Sequence, residues 1–357
     1  MGGTLSCSLA GALQPGATTT VTVQLNPPAA PVKLDDPSVT VMTPGDLATP
    51  FMYWSMSVAA VSANQETWDV VDDQLYPDGG DQSVLGSGGV NEGGEDAFDE
   101  WGDLKLRVFD GHDLLAATDI LGDFGLVYSP GHRWRTTTPV LTGTIRVARS
   151  LYAPANANWL RYVDTFTNTS GSSRTVWVAW GGDLGSADDT LTTASSSGDA
   201  NIGADDTWAA TIENDDPDPT SDSPLGYAWR SPTGTTYSGP GIFSNSVFTT
   251  PWPSGGNQDL GFTFKLVLAP GASASLAYFV YHGLSEDGGS PNECYYYGDC
   301  VLPAPGSQVA LAETTAAMLA AQPNFCDLTP AEFAKIVNWP GMTGCEANNL
   351  YLPVLMR

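Results

Sequence analysis

Lysine and arginine are scarce in this chain, 13 of 357 residues against 40 aspartates and glutamates, which leaves a formal charge of −27. Such a deficit excludes nucleic acid and anionic membranes as partners, because both need clustered cations to meet phosphate. It favours solubility and cation binding, and copies of the chain repel one another unless divalent ions intervene. No apolar run approaches the ~20 residues of a membrane span. No basic segment with an apolar stretch behind it opens the sequence as a secretion signal would. Histidine is limited to His112, His132 and His282, so imidazole chemistry has few places to sit. The acid excess comes from missing cations and not from one acidic block, and 11 tryptophans mark a folded chain.

Paired C-x₂-C spacing is also missing, which removes the common zinc sites. Of five cysteines, Cys294 and Cys300 share the stretch ECYYYGDC, while Cys326 and Cys345 bracket a short helical segment. The spacing predicts disulfides Cys294–Cys300 and Cys326–Cys345, hence an oxidising compartment and a secreted or cell-surface protein. Free buried thiols are the alternative, since spacing does not fix connectivity. Cys7 is odd, and its simplest partner is a cysteine in an upstream half of its own domain.

What the chain does have is β-strand patterning. Leu260, Phe262, Phe264, Leu266 and Leu268 alternate with Gly261, Thr263 and Lys265, the period-two signature of a half-buried strand. Ala269-Pro-Gly-Ala272 predicts a tight turn, with Gly271 at the position that needs a positive φ. The return strand runs from Ser275 to His282. Further strands are predicted at Phe51–Val61, Leu104–Phe109, Thr144–Tyr152, Trp159–Asn168, Arg174–Gly181, Trp208–Ile212 and Ile242–Thr249. Strands divided by Gly, Ser, Asp and Pro turns read as antiparallel sheets packed face to face. Helix is expected only near the end. Val309, Ala312, Ala316, Leu319 and Ala320 recur at helical spacing over Ser307–Gln322. Thr329, Pro330 and Glu332 then form a helix-start signature with Leu328 and Phe333 as its staple, predicting a helix to about Asn338.

Residues Leu5–Leu25 read as two short strands around a Pro-Gly turn, with nothing upstream to pair with. The stiff stretch Pro27–Pro31 marks a boundary. The same turn, Leu-x-Pro-Gly-Ala, recurs at Leu13–Ala17 and Leu268–Ala272. The predicted organisation is a partial module over 1–27, a large β-sandwich over 32–290 and a disulfide-tied helical segment with an apolar strand over 291–357.

Two resemblances follow from these residues. SCSLAGALQPGATTTVTVQL, within residues 1–27, resembles the last strands of immunoglobulin-like repeats in bacterial surface and cell-wall proteins. In that family a cysteine ahead of the final hairpin pairs upstream, as Cys7 would. Val147–Ser186 resembles large β-sandwich modules of secreted bacterial proteins, near the supersandwich folds of galactose-mutarotase-like enzymes and polysaccharide lyases. The ending Leu350–Arg357 is similar to a closing tail of secreted bacterial proteins. Together these imply an all-β, supersandwich-like domain behind a partial Ig-like module.

Candidate chemistry is sparse. The mutarotase resemblance implies a histidine and a glutamate, for which His282 and Glu286 are the best placed, although a histidine packed at a strand end is the simpler reading. Calcium has three candidate loops: Asp215, Asp216, Asp218 and Asp222; Asp72, Asp73, Asp78 and Asp81; and Glu92, Glu95, Asp96, Asp99, Glu100 and Asp103. For any one of them a solvated acidic loop is the simpler reading. Trp159, Trp177, Trp180 and Trp208 lie in strands, where the core is expected. Trp101, Trp134 and Trp252 lie nearer turns and are the expected sugar-stacking surface. Asn168-Thr-Ser170 matches a glycosylation sequon. The apolar run with Leu350, Leu352, Val354 and Met356 could add as a strand to the incomplete sheet of another copy. The function expected is a non-enzymatic secreted structural or adhesive protein, self-assembling into a filament or sheath. The alternative is a carbohydrate-active protein, mutarotase-like or sugar-binding.

Overall fold

Alternation along the long strands turns one apolar face of each into a common core and so determines how this chain folds. The computed structural model describes residues 58–61, 67–71, 89–93, 97–98, 101–118, 121–122, 124–129, 133–137, 139–185, 190–199, 202–203, 205–213, 223–233, 237–240, 259–284 and 307–342. They form two antiparallel sheets. The eight-stranded first sheet runs β1 (Val58–Val61), β2 (Thr67–Val71), β3 (Gly89–Gly93), β4 (Trp101–Asp110), β11 (Arg174–Asp183), β16 (Asp259–Leu268) and β15 (Tyr237–Pro240). β5 (Asp113–Thr118) also pairs with β4. The nine-stranded second sheet runs β12 (Thr190–Ser195), β13 (Trp208–Glu213), β14 (Leu225–Ala228), β17 (Ser273–His282), β10 (Trp159–Asn168), β9 (Ile145–Tyr152), β7 (Arg133–Thr136) and β6 (Leu126–Ser129). β8 (Val140–Thr142) lies beside β9.

The predicted strands that fall within the described residues form, several of them one to four residues longer than expected and one, Ile145–Tyr152, a residue shorter. The hairpin after Leu268 closes as its sequence requires: the Ala272 N–H donates to the Ala269 carbonyl at 3.0 Å, and Gly271 takes φ +72°. The short strands β5 to β8, β12 and β14 had no clear pattern of their own and are held by pairing with longer neighbours.

The core lies between the sheets. Leu104, Leu106 and Val108 of β4, Val176, Val178 and Trp180 of β11, and the five alternating apolar residues of β16 face Tyr162, Phe166, Leu276, Tyr278 and Val280 of the second sheet. Trp180 stacks on Tyr278 with centroids 4.2 Å apart and rings nearly parallel. One ion pair is sealed inside this layer. Arg149 donates from Nε and Nη2 to the two carboxylate oxygens of Asp164, at 2.8 and 3.0 Å. Neither side chain is exposed.

The outer face of the second sheet is covered by the chain's own C-terminal region. Helix α1 (Ser307–Ala321) buries Ala312, Thr315, Ala316, Leu319 and Ala320, a single stripe at helical spacing, over β12, β13, β14 and β17. Beyond it, Phe325, Ile336 and Trp339 pack with Trp159, Ala277 and Phe279. Arg161 clamps this strap. Its Nη1 and Nη2 each donate to the Asp327 carboxylate at 2.6 Å, and Nη1 also donates to the Asn324 carbonyl.

Helix α2 forms at Pro330–Phe333 with the expected capping box between Thr329 and Glu332. It is one turn long and does not reach Asn338. The reason is a competing partner: β14 pairs only with Phe279–His282 of β17, so the other half of β17 lacks a neighbour on that edge. Lys335–Asn338 fills the gap. The Ser275 N–H donates to the Lys335 carbonyl at 2.7 Å and the Val337 N–H donates to the Ser275 carbonyl at 2.9 Å. The Asn338 side chain then continues the ladder as a peptide group would. Its Oδ1 accepts from the Ala277 N–H, and its Nδ2 donates to the Ala277 and Trp229 carbonyls.

Candidate functional site: the outer face of the first sheet

Helix α1 packs on β12, β13, β14 and β17 of the second sheet, on the far side of the molecule from the outer face of the first sheet. Register places the outward residues of its three central strands in rows. Asp103 stands beside Gly181 and Gly261, and Lys105 beside Ala179 and Thr263. Arg107 stands beside Trp177 and Lys265, and Phe109 beside Thr175 and Val267. Alternation brings Asp183, two residues beyond Gly181, to the same face. Across adjacent strands such neighbours have Cβ atoms roughly 5 Å apart.

Charged side chains on a sheet's outer face ordinarily stand in water. Here Asp103, Lys105, Asp183 and Thr263 are all buried. Asp103, Lys105 and Asp183 each take part in further interactions. The Thr263 hydroxyl has no hydrogen-bond partner among the described residues, and a buried polar group left so costs about 1–3 kcal/mol. Asp183 Oδ1 accepts from the Gly185 N–H at 2.9 Å, which fixes the carboxylate.

The backbone under this patch is irregular for identifiable reasons. Register slips between Gly181 and Gly182, so that Gly102 is the extra residue on β4. Bulges of this kind re-aim side chains and recur beside active sites. Gly102 sits at φ +108° with the Tyr162 ring directly behind it, and a side chain at Gly181 would run into the Leu260 carbonyl. Both positions are closed to any larger residue. Phe98, whose N–H donates to the Leu184 carbonyl at this same end, holds φ +68° without being glycine. Strain of that type costs on the order of 1–3 kcal/mol and concentrates at functional sites. Trp177 borders the patch, half-buried, with the Lys265 ammonium 5.4 Å from its ring centroid. The result is a floor of glycine and alanine ringed by two carboxylates, an ammonium, an unpaired hydroxyl and an indole. Of these, the indole can stack on an apolar sugar face, and the Thr263 hydroxyl has hydrogen-bonding capacity left to donate or accept.

The structure redistributes the residues expected from sequence. Trp101 and Trp134 are buried in the core, not exposed at turns; Trp101 packs against Trp180 and Tyr227. Trp177, expected in the core, is on the outer face, because Val176 and Val178 take the inward positions of β11. His282 is buried in the core with its ring 4.2 Å from that of Trp68, and burial pulls its pKa down to about 3. It is a neutral packing residue. Asn168 of the sequon is buried too. Its Nδ2 donates to the Ser172, Leu268 and Ala269 carbonyls, and its Oδ1 accepts from Ser170.

The calcium candidates Asp78, Asp81, Asp215, Asp216, Asp218 and Asp222 lie outside the described residues, as do Glu286, Trp252, Cys7 and the assembly residues Leu350, Leu352, Val354 and Met356. Among the described residues no group of three or more His, Cys, Asp or Glu could hold a metal. Cys326 is disulfide-bonded; Cys294, Cys300 and Cys345 lie outside the described residues. Asp103 had been assigned to an acidic loop, but pairing with β11 makes it a strand residue. Lys105 and Asp183 escaped sequence reasoning. Their signal was the alternation of β4 and β11, legible only once the inward residues were known.

No protein-family model matches the chain, and neither does any curated protein. Among solved structures it is similar to a polysaccharide lyase at 16% identity and a TM-score of 0.35, over 64% of this chain. The chain spans 30% of that lyase's length. It is also similar to a Klebsiella pneumoniae structure assigned as an aldose 1-epimerase, at 11% identity and a TM-score of 0.40, over 76% of this chain and 85% of that one. A heparinase III shows 12% identity and a TM-score of 0.29, over 64% of this chain and 32% of that one.

Proposed function

We propose that this chain is a carbohydrate-binding β-sandwich protein whose sugar docks on the outer face of β4, β11 and β16. The observation that carries this reading is the half-buried Trp177 ring with the exposed Lys265 beside it, next to the Thr263 hydroxyl, which is buried and has no partner among the described residues. A sugar hydroxyl seated there supplies the partner that Thr263 lacks. The disulfide at Cys326 supports an oxidising, extracellular setting.

The test is titration calorimetry against a panel of oligosaccharides with three variants. Thr263→Val keeps the side chain's shape and removes an unsatisfied hydroxyl, so its melting temperature stays level or rises. Its affinity for sugar falls about tenfold, as expected for losing a hydrogen bond worth about 1.4 kcal/mol. Trp177→Ala weakens binding further, while Leu191→Ala, an exposed change on β12 of the other sheet, leaves it unchanged. Undiminished binding in both Thr263→Val and Trp177→Ala, or no sugar bound by the unaltered chain, contradicts the proposal.

A further inference from the structure

We infer that the sugar recognised on this face carries an acidic group, a carboxylate or a sulfate ester, and that Lys265 selects it. This rests on the sugar-binding reading above and extends it. Cations are rare in this chain, and most of the described arginines are already tied to carboxylates. Arg149 is spent on Asp164, Arg161 and Arg133 on Asp327, Arg135 on Glu332, and Arg174 on Asp110. Lys265 is different. It is exposed, no described carboxylate pairs with it, and its ammonium lies over the Trp177 ring at 5.4 Å.

The surrounding register repeats the theme. The outward neighbours of Lys265 and Trp177 on the adjacent rows are Thr263, Ala179, Thr175 and Val267, none of them acidic, and Arg107 continues the same row. Arg107 directs Nη1 to the Leu106 and Thr118 carbonyls, which fixes its positive charge at the edge of the row. Together with Lys105 one row away, three of the chain's 13 cations stand on one face of two strands. A ring stacked on Trp177 brings its substituents within reach of an ammonium already poised at that indole. A charge-assisted contact from Lys265 is stronger than one between neutral groups.

The experiment uses three matched oligosaccharides of one backbone: neutral, carboxylated as the uronate, and sulfated. Each is titrated into the full chain and into Lys265→Gln and Lys265→Arg. One or both acidic oligomers should bind about tenfold tighter than the neutral one, the advantage one charge-assisted hydrogen bond provides. Lys265→Gln should erase that margin, leave neutral binding within about twofold, and lose no melting temperature. Lys265→Arg should keep the preference. Which acidic oligomer responds identifies the acid. Equal binding of neutral and acidic oligomers, unchanged by Lys265→Gln, overturns this inference while the sugar site stands. Absence of binding to all three overturns both.

Discussion

At the scale of single residues, burial decides between chemistry and packing. His282 is a histidine at a strand end, a plausible general base by position. Its setting against Trp68 instead holds it neutral down to a pKa of about 3. The unfolded chain takes up that proton at the ordinary value near 6.5, so between pH 6.5 and 3 the unfolded state binds more protons than the folded one. Stability therefore falls as pH drops through that window, by several kcal/mol at its lower end, since each pKa unit is worth about 1.4 kcal/mol. His282→Asn should flatten the stability–pH curve between those limits, measured by denaturant unfolding at a series of pH values. An unchanged slope would mean that the imidazole is not sealed from water. Asn168 teaches the same lesson. Its sequon is chemically complete, yet its side-chain nitrogen is spent on three carbonyls of the turn. Mass spectrometry of protein made in a glycosylating host should find Asn168 unmodified.

At the scale of elements, strands were legible and their ends were not. The alternation of Leu260–Leu268 placed Thr263 and Lys265 opposite the core from sequence alone, and the structure keeps them there. The second helix was misjudged in length, because a capping box marks where a helix starts and carries nothing about a vacant strand edge 60 residues away. That vacancy at Ser273–Ala277 is filled by Lys335–Asn338, and one asparagine substitutes for a peptide group. Asn338→Ala should leave buried partners on Ala277 and Trp229 unsatisfied, at about 1–3 kcal/mol each. Removing one partner of the buried Arg161–Asp327 clamp with Asp327→Ala should cost about 3–5 kcal/mol. Both are read from urea unfolding. If Asp327→Ala unfolds at the same urea concentration as the unaltered chain, the strap does not hold the second sheet.

At the scale of the whole molecule, the sandwich is asymmetric. One outer face is covered by the chain's own helix and strap, and the other holds the buried patch of Asp103, Lys105, Asp183 and Thr263, bordered by half-buried Trp177 and exposed Lys265. Strand alternation pointed to a β-rich architecture, which the two sheets bear out, and the scarcity of Lys and Arg pointed away from nucleic acid. Neither could locate the site, because Asp103, Lys105 and Asp183 come together only through the register of β4, β11 and β16 and the slip at Gly181. Of the tryptophans near turns that looked like the better binding surface, Trp101 and Trp134 take inward positions in the two sheets, and Trp252 lies outside the described residues. The most direct test of the central claim is hydrogen–deuterium exchange of the full chain, with and without a saturating oligosaccharide from the binding panel. Protection should rise in β4, β11 and β16 around residues 101–107, 177–183 and 261–265, and remain unchanged in α1 and β12. Protection confined to the second sheet and its strap, with those three strands unaffected, would contradict a sugar site on this face.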